Sequence, residues 1–310
     1  MSRSRSCGLC TSYEAEYEER GLISKPESAV LCLAELATLY EARILGLALQ
    51  RYPAAGQDPR QALALFLSFY AYERQGSSPN YAPAAVDAVM RASELSPSVI
   101  WREYKQLLRG VNLNVANNPL SPEGTEFVRK GGERKTWQPS IIEFAASAPD
   151  RRNLITWARE QLASERTRVA HSHLCQINGL GPKIASFFLR DVATTYVLEP
   201  DGDRHLLQPV DVWVRRLASL TCGRGELPSD SACAQAVVES ALAVGASPER
   251  VNQGMWYFAS QICGSSEYVA ESIIRERSIW KSAEEHIRRL TESSVGTAKA
   301  WEKLACRRQG

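Results

Sequence analysis

The chain has 310 residues, enough for a sizeable core in one large domain or two apposed lobes. Its 44% hydrophobic and 23% charged residues are those of an ordinary soluble protein. The formal net charge is only +2, so composition does not announce a nucleic-acid binder, and any such affinity has to come from a local basic face.

Eight cysteines are scattered at positions 7, 10, 32, 175, 222, 233, 263 and 306, with no secretory signal sequence ahead of them. That usage points to a reduced, intracellular chain, not a secreted one. Only Cys7 and Cys10 have C-x-x-C spacing, and no second pair lies at zinc-finger distance; the pair is read either as a metal ligand pair or as part of a frayed N-terminus. His171, His173, His205 and His286 lack metal-ligand spacing with acidic partners and are read as structural, so no metal site is expected.

Residues 1–23 are polar and charged and are expected to be loosely held, with one fold over 24–310. Ser24 and Pro26 signal the start of a helix reaching about Arg51. Its apolar run, Ala29 to Leu49, is interrupted by Glu35, Glu41 and Arg43, which makes it a buried or amphipathic helix and not a membrane span. A second helix from Arg60 to about Gln75 repeats large apolar residues at Leu63, Phe66, Leu67 and Tyr70, the helical period. Helices follow at 82–92, 96–109, 140–148 and 151–163. Between them, residues 110–136 form the least regular stretch, with the glycine-centred basic loop Arg129 to Lys135. Its Arg134 and Lys135 are candidates for clamping a phosphate strand, against the commoner outcome of a solvated loop.

Gln176-Ile177-Asn178-Gly179-Leu180-Gly181-Pro182-Lys183-Ile184-Ala185 then reads as a helix, a tight bend and a second helix. Gly179 and Gly181 flank one apolar residue, Pro182 suits a first helical position, and the apolar helix continues through Phe187, Phe188 and Leu189. Missing side chains there let a phosphate approach the N–H groups of residues 179–184, at a helix end whose dipole favours an anion. Beyond it, Tyr196-Val197-Leu198-Glu199 and Arg204-His205-Leu206-Leu207 around Asp201-Gly202 predict a small β-hairpin. Pro209-Val210-Asp211 opens a helix to Thr221 with Asp211 as its cap, and helices follow at 229–244, 248–262 and 267–290. The pattern is all-α, with that small β insertion.

Gly179-Leu180-Gly181-Pro182-Lys183-Ile184-Ala185 followed in order by Pro209-Val210-Asp211, with weaker support from Val251 to Ala259, resembles the helix-hairpin-helix superfamily of DNA glycosylases. The resemblance implies two helical lobes, the hairpin lobe at about 115–225, with a DNA cleft and base pocket between them. It implies a monomer acting on double-stranded DNA that carries a damaged or modified base, in base excision repair, and a cytoplasmic (nucleoid) or nuclear place. Gly179, Leu180, Gly181 and Ile184 would touch phosphate, and Gln75 would wedge into the space left by the extruded base; an ordinary polar helix end is the other reading of Gln75. Lysine at position 183 marks the bifunctional members, which form a Schiff base and cut the strand, while Asp211 would stabilise the developing oxocarbenium charge. Lys183 is also expected to be partly buried. The bland readings are a phosphate-binding lysine and a structural cap.

Trp213, Trp256 and Tyr257 are candidate walls for a flipped base, although aromatics at helical positions are more often core. Trp213 stands where several relatives have histidine, so the phosphate contact made there is not carried over. Some relatives bind an iron–sulfur cluster through four closely spaced C-terminal cysteines; here Cys263 is followed only by Cys306, and no cluster or other cofactor is expected. The 28 positions from Lys183 to Asp211 exceed the interval in endonuclease III and resemble the archaeal 8-oxoguanine branch, which favours an oxidised purine. An oxidised pyrimidine or enzymatically modified cytosine, and a hairpin module that binds DNA without chemistry, are the alternatives.

Overall fold

The computed structural model describes residues 25–71, 129–130, 133–134, 153–177, 180–221, 227–275 and 279–293. The helices expected at 82–92, 96–109 and 140–148, together with Gln75, Lys135, Gly179 and the Cys7/Cys10 pair, lie outside the described residues. The described chain is mainly helical, and none of its helices is long and apolar enough to cross a membrane. It divides into two compact units, Met1–Tyr40 with Val212–Gly310, and Glu41–Asp211.

The first unit is built on α1 (Lys25–Tyr40). Val30, Leu33, Ala37 and Tyr40 recur at helical spacing and are buried. The same unit contains α7 (Val212–Thr221), α8 (Asp230–Ala243), α9 (Pro248–Tyr257), α10 (Glu267–Arg275) and α11 (Ile279–Ser293). Ser229 and Ser247 cap α8 and α9, each accepting a backbone N–H through its hydroxyl, and Pro248 takes the first helical position of α9. α9 packs on α1 at very short range: a Cβ on Gly254 would fall on the Leu33 carbonyl. The contact is extended by Tyr40 edge-on to Trp256 at 5.7 Å and by Arg250 Nη2 donating to Thr38 Oγ1 at 2.9 Å.

In the second unit, a π-helical turn (Glu41–Leu45) leads into α2 (Gly46–Arg51). Next comes α3 (Pro59–Leu65), capped by Asp58 and continued by a second π-helical turn, Phe66–Ala71. Two two-residue strands, β1 (Arg129–Lys130) and β2 (Glu133–Arg134), pair antiparallel where the sequence suggests irregular chain. α4 (Leu154–Ala163) starts at the Asn153 cap, and α5 (Thr167–Cys175) and α6 (Pro182–Thr195) form the arms of the helical hairpin. α6 is the spine of this unit. Its Phe187 and Phe188 meet Phe66, Phe69 and Tyr70 in an aromatic cluster, with Phe66 edge-on to Phe188 at 4.9 Å.

The β-hairpin expected around Asp201-Gly202 does not form. α6 ends on a left-handed Val197 (φ 53°), whose successor Leu198 donates back to Ala193 O at 2.8 Å. The N–H groups of Asp201 and Gly202 then donate to Glu165 Oε2, at 3.0 and 3.4 Å, while Arg168 Nε donates to Asp203 Oδ2 at 3.1 Å. Residues Arg204–Leu207 close into a 3₁₀ turn with Leu207 fully buried. The alternating runs were real, but side chains from the α4–α5 junction satisfy the turn that a second strand would otherwise have to satisfy.

Two stability effects follow. Gly254→Ala is expected to cost about 3 kcal/mol, because backbone cannot yield as a side-chain tip can; chemical denaturation reads it. Val197→Gly is expected to stabilise by about 1 kcal/mol, since a β-branched residue is forced into the left-handed region in an exposed position. An unchanged melting temperature in Val197→Gly would mean that no strain is held there.

Candidate functional site

The bend between α5 and α6 is closed by short-range bonds. Ile177 N donates to Leu174 O and Leu180 N to Ile177 O, both at 3.1 Å, and the Ile177 and Leu180 side chains are buried. Gly181 is the N-cap of α6, with φ −91° and ψ 172°, extended backbone that any residue adopts. It supplies no side-chain cap, and Pro182 supplies no N–H. Among the described residues, a Cβ built on Gly181 meets nothing within 4 Å.

The backbone donors expected to face phosphate are therefore fewer than the sequence suggests. Leu180 N–H is engaged as above, and Ile184 N–H donates to Gly181 O at 3.1 Å. The N–H groups of Gly181 and Lys183 remain as those not bonded to a described residue. Lys183 itself is exposed, which corrects the expected partial burial. The reason is position along the helix: residues 185–193 are buried on every side of α6, whereas Pro182 and Lys183 stand in its first turn, where the helix emerges from the packed interior.

His171 fastens the two arms. Its Nε2 lies 3.3 Å from Pro182 O and 3.2 Å from Ser186 Oγ, and its Nδ1 lies 3.7 Å from Cys175 Sγ. A carbonyl only accepts, so Nε2 carries the proton toward Pro182 and Nδ1 is left to accept from the thiol. Burial holds the imidazole below its ordinary range, with His205 and Arg168 adding repulsion against the charged form. Burial likewise pushes the Cys175 thiol up, so the pair is neutral and unsuited to nucleophilic chemistry.

Asp211 is half-buried and directly precedes α7; the residues leading to it, Leu207, Gln208 and Pro209, are buried, which anchors its approach. Lys183 and Asp211 both belong to the second unit, whereas Trp213, Trp256 and Tyr257 belong to the first. Trp213 is half-buried on α7 and Trp256 half-buried against Tyr40. Tyr257 is only 1% exposed, and its hydroxyl lies 3.1 Å from His286 Nε2, the environment of a core aromatic. Arg134 lies in β2, paired with Arg129. Burial pushes the Cys263 thiol up to about 12, which keeps it protonated and a poor nucleophile. Among the described residues no group of three or more His, Cys, Asp or Glu side chains is placed to hold a metal ion.

One feature of the second unit was not singled out in the sequence. Adjacent Arg190 and Asp191, both 1% exposed, pair inside the aromatic cluster: Arg190 Nε and Nη2 donate to Asp191 Oδ1 at 2.9 and 2.8 Å. The guanidinium lies over the Phe187 ring at 4.7 Å, and Tyr70 OH donates to Asp191 Oδ2 at 3.3 Å. A charged dipeptide inside the apolar run 187–193 was the available signal.

Comparison with family models, with curated protein sequences and with solved structures finds no match.

The His171 clamp has a pH signature. Its folded-state pKa is lowered, so the unfolded chain binds the proton more readily. The contribution to stability is complete above the unfolded value of about 6.5 and is lost as pH falls through the lower folded value. Melting temperatures from pH 8 to 5 are expected to fall below about pH 6.5 in the parent and to fall less in His171→Gln. Parallel curves would show that another group carries the acid sensitivity.

Proposed function

We propose that this chain is a DNA glycosylase with associated strand-cleaving lyase activity, and that it excises a damaged or modified base. The observation that carries the reading is Gly181. Nothing inside the described fold requires glycine there: the backbone is ordinary and a side chain has open space, so the bare helix end is best explained by something that approaches from outside. A phosphate fits that requirement, since uncapped backbone donors and a helix dipole meet at the same place.

The chemistry is then divided between two side chains. The Lys183 amine, as the free base, attacks the anomeric carbon of an extruded nucleotide; the carbon–nitrogen bond to the base breaks, and the base leaves with a proton. Loss of the amine proton and opening of the sugar ring give an imine. Abstraction of the sugar's 2′ proton then expels the 3′ phosphate by β-elimination. Lys183 is exposed in the free protein, so water around it is displaced only when a duplex closes over the helix end. The Asp211 carboxylate supports positive charge as the glycosidic bond breaks.

The preferred substrate is an oxidised purine, because of the long interval between lysine and aspartate; an oxidised pyrimidine or modified cytosine is the alternative. A second reading is a hairpin module that binds DNA without chemistry. The exposure of Lys183 favours it, as a phosphate-binding lysine is exposed in the same way.

Borohydride reduction in the presence of an abasic or 8-oxoguanine duplex is expected to trap a protein–DNA adduct. Lys183→Gln is expected to lose adduct and nicking while still binding. Asp211→Asn is expected to lower base release by about a hundredfold or more with little loss of affinity. Gly181→Ser supplies a better N-cap, so it leaves the fold intact or slightly more stable, yet it is expected to weaken binding to every duplex by a similar factor. Base release without trapping would make the enzyme monofunctional, with water as nucleophile. Binding without release or nicking on any lesion duplex would establish the non-catalytic module.

A further inference from the structure

We propose that a cavity beside the C-terminal half of α6 binds a small uncharged N-heterocycle of nucleobase size. The site is independent of the DNA reading. It encloses about 280 Å³ within the second unit. That volume equals roughly nine water molecules' share of the liquid and falls at the small end of ligand pockets.

The lining is of two chemical kinds. Leu49 and Phe188 are among its apolar side chains; Tyr52, Gln57, Thr195 and Tyr196 bring two phenols, a carboxamide and a hydroxyl. Among the described residues none hydrogen-bonds the side chains of these four. Every one of those groups both donates and accepts, which suits a ring with mixed N–H and lone-pair edges better than an ion. Among the described residues Asp191 is the one charged side chain in the wall, and it is paired with Arg190, so these residues offer no net charge to attract a cation.

The walls are fixed before any ligand arrives. The loop that carries Tyr52 and Gln57 is tied to α4: Asn153 Nδ2 donates to Ala55 O and Thr156 Oγ1 to Gly56 O, both at 3.1 Å. Gly56 leaves room for the Tyr196 hydroxyl, which lies 2.9 Å from where a Cβ would stand. Arg159 sits 5.4 Å over the Tyr196 ring and holds it in place. A backbone framework tied down in advance lowers the ordering cost of binding.

This cavity does not hold the base during the reaction proposed above. The residues of α6 that line it run from Phe188 to Thr195, five to twelve residues beyond Lys183, and it is assigned a separate ligand of its own.

The test is calorimetric titration of the full chain with adenine, with benzoate, benzamidine and toluene as controls. Adenine is expected to bind saturably and the two ions not at all. Leu49→Trp, which fills the cavity from its half-buried side, is expected to weaken adenine at least tenfold, and Tyr196→Phe and Thr195→Val several-fold each. Tyr196→Phe keeps the ring under Arg159, so it carries the test if Leu49→Trp fails to fold. Absence of saturable adenine binding would overturn the proposal, as would affinity unchanged in both Leu49→Trp and Tyr196→Phe. Toluene binding as tightly as adenine would also overturn it, by marking an apolar void.

Discussion

The second unit depends on an ion pair buried where charge is expensive. Arg190 and Asp191 sit side by side on α6 with almost no exposure, inside a cluster of phenyl rings and one phenol. Removing water from both groups costs several kcal/mol per ion, and the bonds between them offset that only when the geometry is good. Here both donors converge on one carboxylate oxygen, Tyr70 serves the other, and Phe187 offers its face to the guanidinium. Breaking such a pair typically costs about 3–5 kcal/mol, whereas replacing both members by apolar side chains is often neutral. Its contribution is therefore to placement more than to net stability. The Tyr70 bond to Asp191 ties α6 to the Phe66–Ala71 turn, and the position of α6 in turn sets where Gly181 and Lys183 emerge.

The two ends of α6 are treated differently. At its N-terminus the chain provides neither a capping side chain nor, at Pro182, a donor. At its C-terminus a valine occupies the left-handed position usually given to glycine, and the following loop is fastened by Glu165 and Arg168. The interval leading to Asp211 is consequently a pinned connector, with Leu207, Gln208 and Pro209 buried, and not the free-standing hairpin its alternation suggested. A connector fixed at both ends delivers Asp211 with little freedom, whatever that carboxylate does.

Much of this was legible. Pro182 at a first helical position, serine or asparagine before α4, α8 and α9, and the 3.6-residue recurrence along α1 and α6 all mark elements where they occur. The rest was not, for definable reasons. A π-helical turn differs from an α-turn by one residue of register, and the Phe66–Ala71 segment reads as plain helix because its apolar residues still face inward. The expected burial of Lys183 failed because burial along α6 begins only at Ala185, and the first turn projects beyond the packed interior. The expected hairpin at 196–207 failed because alternation reports which side chains are buried, while the backbone bonds went to a carboxylate 36 residues earlier in the chain.

Two glycines make the last distinction. Gly254 is fixed from within, since its own fold places the Leu33 backbone where a side chain would begin. Among the described residues Gly181 has no such neighbour, and its dihedrals are ordinary. Glycine is itself an accepted N-cap, although it brings no capping side chain. The proposed contact with DNA adds an external demand for close approach to the backbone. An anion on a helix N-terminus makes that demand, and it makes it beside an exposed lysine, which is why the hairpin and not the aromatic residues of the first unit anchors the functional reading.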